Sequence, residues 1–256
     1  MPASDKFAFG QHTRLCFYPS SGGTALWALM RLDCDLFVLA DKCREAVSWQ
    51  RIQADFKKNG QPVELMHSGA GHLCFRSLNK TAWIFIEDNS ATLERLHRAH
   101  LTIHHFVGIG DGCSEGGNHA CVHDRPFLSC VLPLAGLGMV YTTDHSRPLE
   151  RKRPYNWSAG VPNHPKFSDM VAWHNFPEPP TWERADECDW HEPVNSSVRF
   201  ELQGVLVAPQ RSTHEPLKES DMQVLPKGDF STQLVNLIPF RLQYGRGVLA
   251  EYRVFW

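Results

Sequence analysis

The stretch that decides the fold is RLCFYPSSGGTALWALMRLDCDLFVLAD, residues 14–41. It begins with a short apolar run, Arg14–Tyr18, which breaks at a proline, two serines and two glycines. Apolar helix formers follow, and a nearly continuous apolar run, Asp35–Ala40, then ends at Asp41. Continuous apolar runs are typical of parallel strands that are covered on both faces. The stretch therefore predicts a strand, a tight turn, a helix and a second parallel strand.

Ligand-binding groups are expected at the turn and at the end of the second strand. A glycine turn between a strand and a helix lets backbone amides approach a ligand, and an acid after the second strand can bind ribose hydroxyls. Asp41 follows Gly22 by nineteen positions, close to the expected interval of about 20. The dinucleotide fingerprint G-x-G-x-x-G is absent. The pattern thus favours a nucleoside-type ligand, and a turn that serves packing alone is the alternative.

The rest of the chain predicts one α/β domain over residues 1–256, because this length is near the upper limit for one hydrophobic core. The polar segment 211–228 is expected to be a loop, and two alternating runs around a glycine turn predict a terminal antiparallel hairpin from 237–243 and 248–256. The other predicted elements are strands at 62–66, 73–76, 82–87, 101–109, 138–143 and 198–207, and helices at 42–58, 91–99 and 124–134.

Composition excludes several classes of protein. Hydrophobic residues make up 42% and charged residues 21% of the chain, which is ordinary for a globular protein. A formal net charge of −2 does not favour nucleic acid as a partner. No apolar stretch of about 18 residues predicts a membrane span, so cytoplasm is the expected location. Eight scattered cysteines predict reduced, mostly buried thiols rather than a disulfide framework.

The run CFYPSSGGTALWALMRLDCDLFVLAD resembles the first two strands of the class I S-adenosylmethionine-dependent methyltransferase fold. The final run FRLQYGRGVLAEYRVFW is similar to the antiparallel last strand pair of that family. The family usually has an acid after its first strand, whereas Tyr18 and Pro19 stand here, and the Asp/Asn-Pro-Pro-aromatic signature of amino-methylating members is absent. The resemblance implies S-adenosylmethionine as cofactor, with these binding residues: Tyr18, Ser20, Ser21, Gly22, Gly23 and Asp41.

A second group of reactive side chains lies in residues 108–123, which follow a predicted strand. Because ligands bind at the carboxyl ends of strands in open α/β sheets, Asp111 and Asn118 are candidate catalytic residues in a substrate loop. His145, beside an aspartate at another strand end, is a candidate for proton transfer. Zinc is a less favoured alternative here, because the spacing of its two thiols and two imidazoles is unusual: Cys113, His119, Cys121 and His123.

Residues 146–196 lose the regular pattern and form a predicted insertion rich in proline and tryptophan. Flexible linkers rarely carry so much apolar surface, so the insertion is a candidate lid or protein interface. Three functions remain open at this point. They are a methyltransferase-like enzyme of unknown acceptor, a noncatalytic protein on the same fold that binds a partner, and, less favoured, a metal-dependent hydrolase.

Overall fold

A computed structural model describes residues 14–21, 25–44, 47–109, 130–143, 199–207, 218–226, 229, 231–244 and 249–255. Within these ranges the strands are β1 (Leu15–Tyr18), β2 (Leu36–Ala40), β3 (Glu64–Gly69), β4 (His72–Ser77), β5 (Lys80–Phe85), β6 (Ile103–Gly108), β7 (Ala135–Thr143), β8 (Arg199–Val207), β9 (Gln223–Pro226) and β10 (Leu249–Phe255). The α-helices are α1 (Leu26–Leu29), α2 (Trp49–Lys58), α3 (Asn89–Arg98) and α4 (Ile238–Tyr244). Short 3-10 turns occupy Leu132–Leu134, Glu219–Asp221 and Leu234–Leu237.

The strands form one sheet in the order β3-β4-β5-β2-β1-β6-β7-β10-β8-β9. The five central strands, β5, β2, β1, β6 and β7, pair in parallel. The last strand, β10, lies antiparallel between β7 and β8. This antiparallel last strand, placed beyond a parallel sheet of doubly wound order, distinguishes the fold from an ordinary Rossmann sheet. The predicted Rossmann-like α/β fold with a mostly parallel sheet is therefore confirmed.

Both faces of the sheet are covered, as the apolar runs predict. Side chains of α1, α2 and α4 pack in one cluster with Phe37 and Leu39 of β2. The other face of the same strands packs against α3, through a cluster that includes Phe17, Val38, Leu93 and Leu96. Alternating side chains of a strand point to opposite faces, so a strand buried on both faces needs an uninterrupted apolar sequence. The result is a three-layer arrangement.

The predicted C-terminal hairpin is wrong. Residues 238–244 form helix α4 rather than a strand, and the antiparallel partners of β10 are β7 and β8, which lie far earlier in the chain. The predicted loop at 211–228 also contains a strand, β9, which pairs with the edge of β8. In both places a short run fits more than one element, and the long-range neighbour decides between them.

Helix α2 and the cysteines agree with the sequence only in part. Helix α2 begins at Trp49, whereas the pattern predicts a helix from residue 42. Cys16, Cys34 and Cys74 are buried, and the five cysteines of the described ranges are free thiols, with Cys43 and Cys130 exposed. Among the described residues, no helix has the length and hydropathy needed to cross a bilayer.

Candidate functional site

The carboxyl ends of the central parallel strands meet at one edge of the sheet. The chain leaves β1 at Pro19–Ser21, β2 at Asp41–Cys43, β5 at Ile86–Asp88 and β6 at Ile109. In open α/β sheets this edge, where neighbouring strands are followed by connections on opposite faces, is where ligands bind. The residues that follow these four strands are therefore the ones to examine for a site.

Asp41 faces the turn that follows β1. One carboxylate oxygen, Oδ2, accepts a hydrogen bond from the backbone amide of Ser21 at 3.2 Å, and Oδ1 accepts one from the amide of Cys43 at 2.8 Å. The amide of Asp41 donates to the carbonyl of Phe85 at 2.9 Å, which fixes the residue between β1 and β5. An ionised carboxylate has about four acceptor positions. Two remain for ligand hydroxyls, and the side chain is only partly buried.

The turn itself is held close to β1. The amide of Ser20 donates to the carbonyl of Tyr18 at 2.8 Å, and Ser21 is buried with 6% of its surface exposed. Because the Ser21 amide bonds to Asp41, it orients that carboxylate rather than pointing at a ligand. Gly22 and Gly23, the other predicted binding residues of the turn, lie outside the described residues.

Tyr18, predicted to bind the cofactor, has its side chain in the core. Its hydroxyl donates to the carbonyl of Ile109 at 2.9 Å, and its ring meets Phe240 of α4 edge-on at a centroid distance of 5.8 Å. Only 2% of Tyr18 is exposed. The contact ties the carboxyl end of β1 to that of β6, so Tyr18 shapes the site by joining two of its walls.

Replacing Tyr18 by phenylalanine is expected to lower the free energy of unfolding by about 1–2 kcal/mol, because the buried carbonyl of Ile109 loses its donor. Urea unfolding followed by circular dichroism measures this difference. The ring keeps its contact with Phe240, so the change isolates the hydroxyl. Unchanged stability would show that the hydrogen bond to Ile109 contributes nothing to the fold.

The structure adds three residues that the sequence patterns did not assign to the site. Lys42 after β2 forms an ion pair with Asp88 after β5, across the edge of the sheet. Asn89 is 3% exposed, and its side-chain amide donates to the carbonyl of Pro19 at 3.4 Å. Its Oδ1 has no hydrogen-bond partner among the described residues. The available signal was the polar run Asp88-Asn89-Ser90 between the predicted strand 82–87 and the predicted helix 91–99, where such residues are expected to cap the helix.

These residues do not cap α3 in the expected way. Asp88 is the N-cap residue, yet its side chain makes no capping hydrogen bond and pairs with Lys42 instead. The neighbouring Glu87 binds Arg95 through both oxygens, at 2.7 and 3.0 Å, and accepts from Thr92 at 3.0 Å. Glu87 therefore anchors α3 to the end of β5, while Asp88 and Asn89 face the ends of β2 and β1.

The remaining predicted residues lie outside the described ranges. They are Asp111, Asn118 and His145 as catalytic candidates, the zinc candidates Cys113, His119, Cys121 and His123, and the insertion 146–196. Within the described part of the chain, no cluster of three or more histidine, cysteine, aspartate or glutamate side chains could hold a metal ion. The catalytic assignments, the zinc alternative and the protein interface stay predictions.

Comparisons with known proteins complete the description. No protein-family model and no curated protein matches the sequence. Among solved structures, SMU.776, a proposed methyltransferase complexed with SAH, aligns at 10% identity and a TM-score of 0.36, over 94% of this chain and 44% of its own. An rRNA methylase from Streptococcus thermophilus aligns at 7% identity and a TM-score of 0.37, over 95% of this chain and 87% of its own.

A third structure, a proposed SAM-dependent methyltransferase from Streptococcus mutans, aligns at 8% identity and a TM-score of 0.37, over 96% of this chain and 46% of its own. This chain thus spans less than half the length of SMU.776 and of the third protein. The assignment of the fold rests on the strand order of this chain, described above.

Proposed function

We propose that this chain, whose sheet has the order of class I methyltransferases, binds S-adenosylmethionine at the carboxyl edge of β1 and β2 and acts as a methyltransferase. The observation that carries the proposal is the position of Asp41. Its carboxylate lies at the end of β2, hydrogen-bonded to the turn after β1. An acid at this point of a doubly wound sheet is placed to bind ribose hydroxyls.

The acceptor chemistry at Asp41 fits a ribose diol. Two amides orient the carboxylate before any ligand arrives, and each of its oxygens keeps an acceptor position. Hydrogen bonds from hydroxyls to an ionised acceptor are shorter and stronger than neutral ones. Since the protein holds the carboxylate in place, binding a diol costs little reorganisation.

The chain's contribution to the reaction is alignment. When bound, S-adenosylmethionine supplies a methyl group on a positively charged sulfur. Asp41 and the turn after β1 position the nucleoside, while Asp111 and Asn118 orient the acceptor and His145 takes the proton that the acceptor loses. Correct placement of two reacting atoms can supply most of the acceleration for such a transfer. The methyl acceptor is not assigned, and a macromolecular acceptor would be selected by the insertion 146–196.

Isothermal titration calorimetry with S-adenosylmethionine and with S-adenosylhomocysteine tests the proposal. Asp41→Ala is expected to weaken binding about tenfold or more, because a hydrogen bond to a charged group contributes roughly 1.5–3 kcal/mol and about 1.4 kcal/mol corresponds to a factor of ten. The affinity of Asp41→Asn, which keeps one acceptor oxygen, should lie between that of Asp41→Ala and that of the native protein. Asp33→Ala is the matched control, because Asp33 is an exposed aspartate paired with Arg14 at the opposite edge of the sheet.

Two results would contradict the proposal. One is that the folded native protein binds neither compound, and the other is that Asp41→Ala binds them as tightly as Asp33→Ala does. Failure to bind would favour the noncatalytic alternative, in which the fold serves an interaction with another protein. Elemental analysis of the purified protein distinguishes the hydrolase alternative, which requires a stoichiometric metal ion.

A further inference from the structure

Two histidines at the outer edge of the sheet have their ring nitrogens in contact. His67 lies in β3, the edge strand, and His72 is the first residue of β4. Nδ1 of His67 lies 2.8 Å from Nε2 of His72. The ring planes differ by 12°, and the ring centroids are 4.8 Å apart. His67 is exposed and His72 is partly buried, so the pair can be reached from solvent.

The local structure holds the two rings together. In the hairpin, Gly69 is the cross-strand partner of His72, and His67 is the partner of Cys74, so the two histidines occupy diagonal positions. Diagonal neighbours on one face of a sheet are within reach of long side chains. The ring of His72 lies over Gly69, where an added methyl carbon would be 2.6 Å from Cε1 of the imidazole.

Aromatic side chains support His72 from the other side. Its ring centroid is 5.7 Å from that of Trp83 and 6.5 Å from that of Phe85, both in the neighbouring strand β5. The glycine on one strand and the two aromatic rings on the other therefore fix where the imidazole lies. A ligand group that packing has already positioned loses less conformational entropy on binding than one on a free surface.

The distance between the nitrogens is short enough for one metal ion to bind both rings. Two metal–imidazole bonds of about 2.0 Å at a right angle place their nitrogens about 2.8 Å apart, whereas a tetrahedral angle places them about 3.3 Å apart. The 2.8 Å between the rings is the length of an ordinary hydrogen bond, so a metal ion that replaces the shared proton at a right angle would require little movement of either ring. Right-angled imidazole ligands suit Ni²⁺ and Cu²⁺ in tetragonal or square-planar sites, while Zn²⁺ prefers a tetrahedron.

We propose that His67 and His72 form a chelating site for a divalent transition-metal ion of right-angled geometry, Ni²⁺ or Cu²⁺. The two imidazoles are its protein ligands, because Cys74 is buried and the described residues offer no cluster of three metal-binding side chains. Water completes the coordination. The site is separate from the turn after β1, so metal binding at the two histidines can be tested independently of cofactor binding.

Ni²⁺ is the probe, because it does not oxidise the exposed thiols of Cys43 and Cys130. In ¹⁵N-labelled full-length protein, substoichiometric Ni²⁺ is expected to perturb the amide resonances of residues 66–73. The Ni²⁺ affinity measured from these resonances should fall at least tenfold in His67→Ala and in Gly69→Ala. The native protein should bind Zn²⁺ more weakly than Ni²⁺ at the same residues. His97→Ala, an exposed histidine on α3, should leave it unchanged.

Gly69→Ala gives the sharpest result, because it keeps both histidines and displaces only the ring of His72. If this variant binds Ni²⁺ at residues 66–73 as tightly as the native protein does, the pair is not a built site and the proposal is wrong. The proposal is also wrong if Ni²⁺ leaves those resonances unperturbed in the native protein. In that case the 2.8 Å contact is a hydrogen bond between two imidazoles and nothing more.

Discussion

Acidification from neutral pH to pH 4 is expected to lower the free energy of unfolding by about 3 kcal/mol through His105 alone. Burial, together with the smaller effect of the charges of Arg14 and Arg253, lowers the pKa of this histidine from 6.5 to about 3. Nε2 of His105 contacts Oγ1 of Thr142 at 2.8 Å, and Nδ1 has no hydrogen-bond partner among the described residues. Within the described ranges no carboxylate acts on this fully buried ring to offset the charge of an added proton.

The direction of the effect follows from the two pKa values. Because the pKa of His105 is lower in the folded protein than in the unfolded chain, the unfolded chain binds more protons below pH 6.5. The stabilisation that comes from keeping His105 neutral is fully present above pH 6.5 and is lost as the pH falls towards about 3. Glu251 opposes it in part, because burial raises the pKa of that carboxyl and its protonation favours the folded state.

Urea unfolding at a series of pH values measures this loss. His105→Gln keeps a neutral amide that can reach Thr142 and does not titrate, so its stability is expected to change much less between pH 7 and pH 4. His97→Gln, on the exposed face of α3, is the control and should retain the native pH dependence. Equal slopes for the native protein and His105→Gln would contradict a buried, neutral imidazole.

Replacing Phe106 by alanine is expected to lower the free energy of unfolding by about 3–5 kcal/mol. Phe106 in β6 is fully buried, and its ring stacks on Phe17 of β1 and on Tyr141 of β7, at centroid distances of 6.0 and 5.3 Å. These three strands are neighbours in the middle of the ten-stranded sheet. Removing the ring takes away its transfer free energy and leaves a cavity between two other rings, which can relax only in part.

Chemical denaturation of Phe106→Ala and Phe106→Leu measures this cost. The leucine variant fills much of the volume and is expected to lose less than half as much stability. If both variants lost the same amount, the stacking geometry rather than the cavity would dominate. A loss below about 1 kcal/mol for Phe106→Ala would contradict the packing of β1, β6 and β7 described here.

The central strands were predictable because each of them is a nearly continuous apolar run in the sequence. The runs 15–18, 36–40 and 103–108 lie close to the predicted bounds, since strands buried on both faces leave few polar residues to obscure them. The parallel pairing of the first two strands also followed, because they are continuous apolar runs joined by a helix, which is the usual crossover between parallel strands. These inferences use only local sequence.

The C-terminal region could not be read in the same way. The short run Leu237–Gln243 was predicted to be a strand, yet residues 238–244 form α4, with Pro239 in its first turn, where a missing amide donor costs little. Strand β10 finds its partners in β7 and β8 rather than in the segment before it. Pairing over such separations depends on the whole sheet, and a run of seven residues does not carry that information.

The residues of the candidate site also differ in whether local sequence predicts them. Asp41 was predictable because it follows its strand directly, at the expected interval from the turn. Lys42, Asp88 and Asn89 were not, because their meeting requires β5 rather than β3 to be the parallel neighbour of β2. The hairpin β3–β4 intervenes in sequence and lies outside β5 in the sheet, so the order along the chain misleads.

The most direct test of the account is a structure of the protein in complex with S-adenosylhomocysteine. We expect both ribose hydroxyls to lie within about 2.6–3.0 Å of the Asp41 carboxylate, with the nucleoside across the ends of β1 and β2. A complex in which Asp41 keeps only its bonds to Ser21 and Cys43, with the nucleoside bound elsewhere, would contradict the account.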